Sequence, residues 1–332
     1  MWLASFTPVA SIAADQVSVP VTYVDNRPFV TVAANGHKFR FMIDTGGYNT
    51  LDSGVAKILG LKVTPAGTIM GAGNGASKNG TAVLSSLQLG SQTMRHVKVD
   101  VIDFSPIAAH LGLKPFDGMI GYDFFSKDVV SFVNSQATFV VGHAVVRGER
   151  IPFSMYGTIP EIEAAVNGVD GDFILDTGDR TNATLIGSFV DRHPDLRNAI
   201  VRSNVVTGWG VGGPVLSDIL LLTSIEAGSL KLRYLVGRIA IAKHGTFAAT
   251  DISGTLGNGY LRRFDVSIDY PNHVLYLRPN PDFVQPRCPT ATGSAQIAIP
   301  PLDCLISAHY KAVPKADVGP ELAGPQRGRR FA

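Results

Sequence analysis

Twelve consecutive residues of this chain occur twice, in recognisably related form. Asn35-Gly36-His37-Lys38-Phe39-Arg40-Phe41-Met42-Ile43-Asp44-Thr45-Gly46 returns as Asn167-Gly168-Val169-Asp170-Gly171-Asp172-Phe173-Ile174-Leu175-Asp176-Thr177-Gly178, and Asp176 lies 132 positions after Asp44. Repetition on this scale restricts the fold to one supersecondary plan used twice. Each copy has the pattern of a hairpin. Alternating residues precede an Asn-Gly pair suited to a tight turn, and an apolar strand then runs into Asp-Thr-Gly.

A second landmark follows each first one. Met119-Ile120-Gly121 and then Val129 to Val133 match Thr255-Leu256-Gly257 and then Asp265 to Asp269, with 77 positions from Asp44 to Gly121 and 81 from Asp176 to Gly257. The repeat therefore spans whole lobes. Between the landmarks each half carries a glycine-rich segment, Gly71 to Gly75 and Gly208 to Gly213, followed by strand-like runs at Val83 to Leu89 and Val215 to Leu222. A mobile hairpin is expected at each. Helices are expected to be few and short, for example Gly54 to Leu59. The resulting division is 1–16 as an N-terminal lead, 17–146 and 147–282 as two lobes, and 283–332 as a proline-punctuated tail, with the lobe boundary near Gly142 to Arg150.

Composition agrees with an all-β chain. Of 332 residues 45% are hydrophobic, and 35 glycines and 20 prolines accompany many Val, Thr and Ile. Such a mixture favours strands and turns over helical bundles. Lys and Arg total 29 against 27 Asp and Glu, a net charge of +2, which argues against a nucleic-acid protein or a basic membrane-surface protein. Met1 to Ala14 is apolar but too short to span a bilayer, and no other segment is long enough. With Ser11-Ile12-Ala13 as a small-x-small site it suits the end of a signal peptide, though without a basic leading region, and so implies a periplasmic or secreted protein; the alternative is an ordinary first strand or a disordered lead on a cytoplasmic one. Cys288 and Cys304 either bridge within the tail or are free thiols.

Two carboxylates delivered by equivalent loops of two lobes can meet at a pseudo-two-fold axis. Held close, they cannot both ionise freely, and they share a proton so that one is a general base and the other a general acid. That arrangement can activate water against a peptide carbonyl. The threonine hydroxyl can bond backbone across the axis, and the glycine permits the sharp turn. No histidine or cysteine spacing suits a metal, and Gly208-x-Gly210-x-x-Gly213 is followed by Pro214 and a strand-like run, so it does not read as a dinucleotide loop. Neither a metal nor a cofactor is expected.

On these residues the chain resembles the aspartic proteases, specifically the bacterial retropepsin-like aspartyl proteases with two lobes in one chain. FMIDTGGYNTL and FILDTGDRTNATL are similar to that family's active-site loops, and DGMIGYDFF and SGTLGNGYLRRFDVSIDY to its later glycine segments. The likeness covers about residues 20 to 280. It implies an all-β, two-lobed acid-protease-like β-barrel fold from an internal duplication. It also implies Asp44 and Asp176 as the catalytic pair, Thr45, Gly46, Thr177 and Gly178 as loop supports, and flaps around Gly73 and Gly210 over a polypeptide substrate bound as an added strand. Trp209 is placed either in a substrate pocket or over the edge of the core. A monomer is expected, because both halves of a site are already present.

Two residues depart from the pattern. Gly47 and Asp179 stand where the family often has a small residue, Ser, Thr or Ala, and where a hydroxyl, if the residue is Ser or Thr, can bond a catalytic carboxylate. Asp179 adds negative charge beside the pair unless Arg180 neutralises it, and is expected to raise the pair's apparent pKa values. These departures leave open a second class of function, a peptide-binding or scaffolding protein that kept the fold without turnover. Asp172 is taken as a solvated hairpin residue.

Overall fold

The computed structural model describes residues 16–143 and 146–283. The leader, the tail beyond Phe283 with Cys288 and Cys304, and two residues of the expected lobe boundary lie outside the described residues.

The two halves are built strand for strand alike. In the first, an eight-stranded sheet runs in the order Thr22–Val24, Arg27–Ala34, His37–Ile43, Gly118–Ile120, Thr50–Asp52, Gln92–Ile102, Ser77–Leu89, Thr64–Ile69. In the second the order is Ser154–Tyr156, Ile159–Val166, Val169–Asp176, Gly254–Gly257, Ala183–Leu185, Leu230–Ala240, Gly213–Ala227, Ile200–Gly210. Each sheet curls back on itself, since Ala33 and Ala34 pair with Gln88 and Leu87, and Ala165 and Val166 with Glu226 and Ile225. The all-β, two-lobed fold expected from the repeat is therefore present, with helices of four to seven residues, such as Ser53–Ile58 where Gly54 to Leu59 was expected.

The Asn-Gly turns follow from their residues. Asn35 and Gly36 sit at φ 49° and 84°, and Asn167 and Gly168 at 53° and 77°, the positive-φ pair of a two-residue hairpin. The apolar strands after them are buried on both faces. Phe41 and Ile43, like Phe173 and Leu175, point into the main core, whereas Met42 and Ile174 point the other way and line a cleft between the lobes. This explains their continuous apolar character, since neither face meets bulk water.

A third sheet of six strands joins the lobes in the order Val17–Pro20, Thr138–Gly142, Val129–Val133, Phe264–Asp269, Val274–Pro279, Glu149–Pro152. Its middle pair is antiparallel with Ser131 opposite Ser267, and the two hydroxyls lie 2.6 Å apart with 0% exposure. The pseudo-two-fold axis passes between them. The strand-like runs expected after the glycine segments are longer than expected, Ser77–Leu89 and Gly213–Ala227. Residues 77–82 are mostly polar or glycine, with Gly80 and Ala82 buried, so hydrophobic alternation marks them poorly, whereas Ile225 and Ala227 at the far end of the second strand are buried in the core.

Candidate active site

Asp44 and Asp176 end the two equivalent apolar strands, and the parallel pairing of those strands with Gly118–Ile120 and Gly254–Gly257 brings both loops to one place. The loops hold each other reciprocally. Thr45 N–H donates to Thr177 Oγ1 and Thr177 N–H to Thr45 Oγ1, both at 3.0 Å, while Thr45 Oγ1 donates to Leu175 O and Thr177 Oγ1 to Ile43 O, both at 2.8 Å. Gly46 N–H and Gly178 N–H donate to the carboxylates of Asp44 and Asp176 at 2.9 and 2.7 Å. A methyl group at Gly46 would lie 2.6 Å from Asp176 Cγ, and one at Gly178 2.7 Å from Asp44 Oδ2, so only glycine lets the carboxyls come together.

The Asp176 carboxyl lies against Gly46 and the Asp44 carboxyl against Gly178, so each sits close enough to shift the other's titration, and their electrostatics differ. Burial pushes Asp176 well above the usual carboxylate range, and the charges of Asp44 and Asp179 push the same way. Burial also raises Asp44, but its bonds to Asp176 and Gly46 N–H and the charge of Arg27 oppose the rise. Both carboxyls are therefore raised, Asp176 further than Asp44, and the two titrate as one interacting pair.

Arg27 donates through Nε to Gly178 O at 2.9 Å and forms an ion pair with Asp25 at 2.5 Å. Ile159 stands at the equivalent place in the second lobe, so this cation serves one side of the dyad only. Sequence reasoning passed over Arg27. The signal was present, because Arg27 and Ile159 are separated by the same 132 positions as the Asp-Thr-Gly loops.

Asp179 is buried and accepts from Thr181 N–H at 3.0 Å, Thr184 Oγ1 at 2.7 Å and Arg238 Nη2 at 3.1 Å. Burial pushes its carboxyl up, but Arg238 and these hydrogen bonds outweigh it, and the group sits below the usual range. The neutralising partner is thus Arg238. Arg180, the partner considered from sequence, turns instead to Asp25 at 2.9 Å. Adjacent residues project in different directions from a tight loop, and Arg238 comes from a strand 59 positions away, a relation no local pattern records.

Both glycine-rich hairpins reach over the dyad. Gly73 N–H donates to Val211 O and Gly75 N–H to Gly212 O, each at 2.9 Å, so the two tips are bonded to each other. An added carbon at Gly73 would come within 2.3 Å of Gly213 N, and one at Gly210 within 2.8 Å of Ala72 Cβ. Trp209 lines the cleft and stacks on His110 of the helix Ser105–Leu111, with ring centroids 3.5 Å apart. Beneath the tips lies a cavity of ≈ 320 Å³ that contains both aspartates. On the first lobe's side its wall is apolar, formed by Met42, Ile69, Ile102, Phe104, Phe116 and Met119. Asp172 lies on the outer part of its hairpin and is exposed. Among the described residues no group of three or more His, Cys, Asp or Glu is arranged to hold a metal ion, and no helix is long and apolar enough to cross a membrane.

Residues 30–124 match the family described as aspartyl protease. No curated protein matches the chain. Among solved structures, the aspartic proteinase from Irpex lacteus superposes with a TM-score of 0.53 over 82% of this chain and 99% of that one, at 15% identity. At that identity the likeness is one of fold. The expected resemblance to aspartyl proteases is borne out by the family match to the first lobe and by the two-lobed architecture of the whole.

Proposed function

We infer that the protein is an aspartic endopeptidase that hydrolyses peptide bonds with a water activated between Asp44 and Asp176. The observation that carries this reading is the facing carboxyl pair, held by reciprocal threonine bonds at the floor of a cavity roofed by two hairpins. The likeness to aspartyl proteases supports a peptidase in general.

With Asp176, the more strongly raised carboxyl, as the proton holder, Asp44 takes a proton from water as the oxygen attacks the peptide carbonyl carbon, and Asp176 gives its proton to the carbonyl oxygen. The product is a tetrahedral diol. Asp44 then passes its proton to the amide nitrogen as the C–N bond breaks, and a diol hydroxyl returns a proton to Asp176. The cycle closes with the original single proton on the pair. An extended peptide would lie under the tips as an added strand, its side chains alternating into the two lobes.

Digestion of a peptide library by the parent, Asp44→Asn and Asp176→Asn proteins, followed by mass spectrometry, tests the reading. Cleavage by the parent alone is expected; cleavage that persists in both variants would overturn it. Gly47, which offers no hydroxyl to Asp44, favours a second reading as a peptide binder without turnover. Inhibition by a statine-type transition-state mimic supports the enzyme, whereas tight peptide binding without cleavage supports the binder.

A further inference from the structure

We propose that the cleft selects a long basic side chain, lysine or arginine, on the first lobe's side, and that Asp100 recognises its charge. The proposal rests on the endopeptidase reading and names its substrate class.

The other charged groups that line the cavity each have a charged neighbour. Arg27 shares the Asp25 carboxylate with Arg180, Asp179 pairs with Arg238, and Asp44 and Asp176 face each other. Asp100 also lines the cavity, yet no Lys, Arg or His among the described residues forms an ion pair with it. Its side-chain partner is a neutral amide, Asn79 Nδ2, at 3.1 Å.

Its orientation follows from strand geometry. Along Gln92–Ile102, Val97, Val99 and Val101 are buried in the first lobe's core, so Lys98, Asp100 and Ile102 occupy the opposite face. Ile102 belongs to the apolar wall with Met42, Phe104 and Phe116. A carboxylate therefore stands beside an apolar surface on one face of one strand. Lysine and arginine fit such a surface, because their methylene stems cover apolar groups while the cationic end reaches a charge. An uncharged aliphatic side chain in the same place would strip water from Asp100 and leave it only an amide.

The second lobe does not repeat this arrangement. Thr50 pairs with Asp100 as Thr184 pairs with Arg238, so Asp100 and Arg238 occupy equivalent positions with opposite charges. Arg238 is already neutralised by Asp179, whose own counterpart in the first lobe is Gly47. Selection for charge should accordingly be confined to one side of the scissile bond.

The test uses matched peptides with lysine or norleucine at each position flanking a cleaved bond, and reads the ratio of kcat/KM within each pair. The parent should prefer lysine by about tenfold or more at one position, as expected for a desolvated charged hydrogen bond, and Asp100→Asn should lose that ratio. Equal cleavage of the pair by the parent, or a preference that survives Asp100→Asn, overturns the proposal. If the parent cleaves neither peptide, the endopeptidase reading is what fails, and binding of the same two peptides decides the role of Asp100. Tighter binding of the lysine peptide to the parent but not to Asp100→Asn supports that role, and equal binding refutes it. Asp100→Lys, paired with a glutamate peptide, provides a charge-reversed check in which preference should move from lysine to glutamate.

Discussion

Thr45 and Thr177 exchange identical hydrogen bonds across the pseudo-two-fold axis, each backbone N–H donating to the other's hydroxyl at 3.0 Å. Both residues are fully buried, with 0% and 1% exposure, so neither N–H has water as an alternative partner. Thr45→Val keeps the shape and removes the hydroxyl, which leaves Thr177 N–H unpaired. A loss of about 1–3 kcal/mol is expected. Thr177→Val should cost about the same by symmetry. Denaturant unfolding checks both; a variant with an unchanged midpoint would contradict the account.

Asp176 contributes to stability with a sign opposite to that of an ordinary ion-paired carboxylate. Its pKa is raised in the folded state, so the native protein binds more protons than the unfolded chain once pH exceeds the ordinary value of 3.8. Stability then falls as pH rises from there through the raised folded value. Asp176→Asn removes this penalty, and its melting temperature should exceed the parent's at neutral pH, with the gap closing at pH values below the ordinary carboxylate range. A gap that is constant with pH would refute the assignment.

Asp179 has the reverse sign. Its folded pKa is depressed, so its stabilising contribution is present above the ordinary carboxylate value and is lost as pH falls through the depressed one. Asp179→Asn leaves Arg238 buried without its counter-charge, at a cost of about 3–5 kcal/mol. It also removes a negative charge that raises both members of the dyad. The pH–rate profile of this variant should shift toward acid. A profile that overlays the parent's would refute the link between Asp179 and the dyad.

Gly73 and Gly213 meet backbone to backbone where the two hairpins touch, so neither side can yield as a flexible side chain would. Gly73→Ala should part the tips and break the bonds from Gly73 and Gly75 to Val211 and Gly212. Hydrogen exchange at those two amides should quicken about tenfold or more. Unchanged protection would mean that the tips are held by other contacts, for example the His110–Trp209 stack.

Much of the architecture was legible because it is encoded locally and written twice. The Asn-Gly turns demand positive φ, and Phe41-Met42-Ile43 and Phe173-Ile174-Leu175 are apolar throughout because both of their faces are covered. Asp44, Asp176 and their Thr-Gly neighbours stand out for the same reason, since a loop that must mirror another loop keeps its residue types. Arg27 was legible in principle as a charged residue opposite an apolar Ile159, but only once the lobes are compared position by position.

The amino-acid order by itself determined a duplicated all-β chain with two Asp-Thr-Gly loops, because turn chemistry and strand periodicity act over a few residues. Which charges face each other was decided only in the tertiary structure. Arg238 reaches Asp179 from a distant strand, Arg180 turns away to Asp25, and Asp100 takes the place of Arg238 in the first lobe with no cation paired to it among the described residues. Electrostatic partners are set by distance in space and by burial, and a short stretch of sequence carries neither. The duplication built a symmetric frame, and unpaired substitutions within it made the two sides of the cleft chemically different.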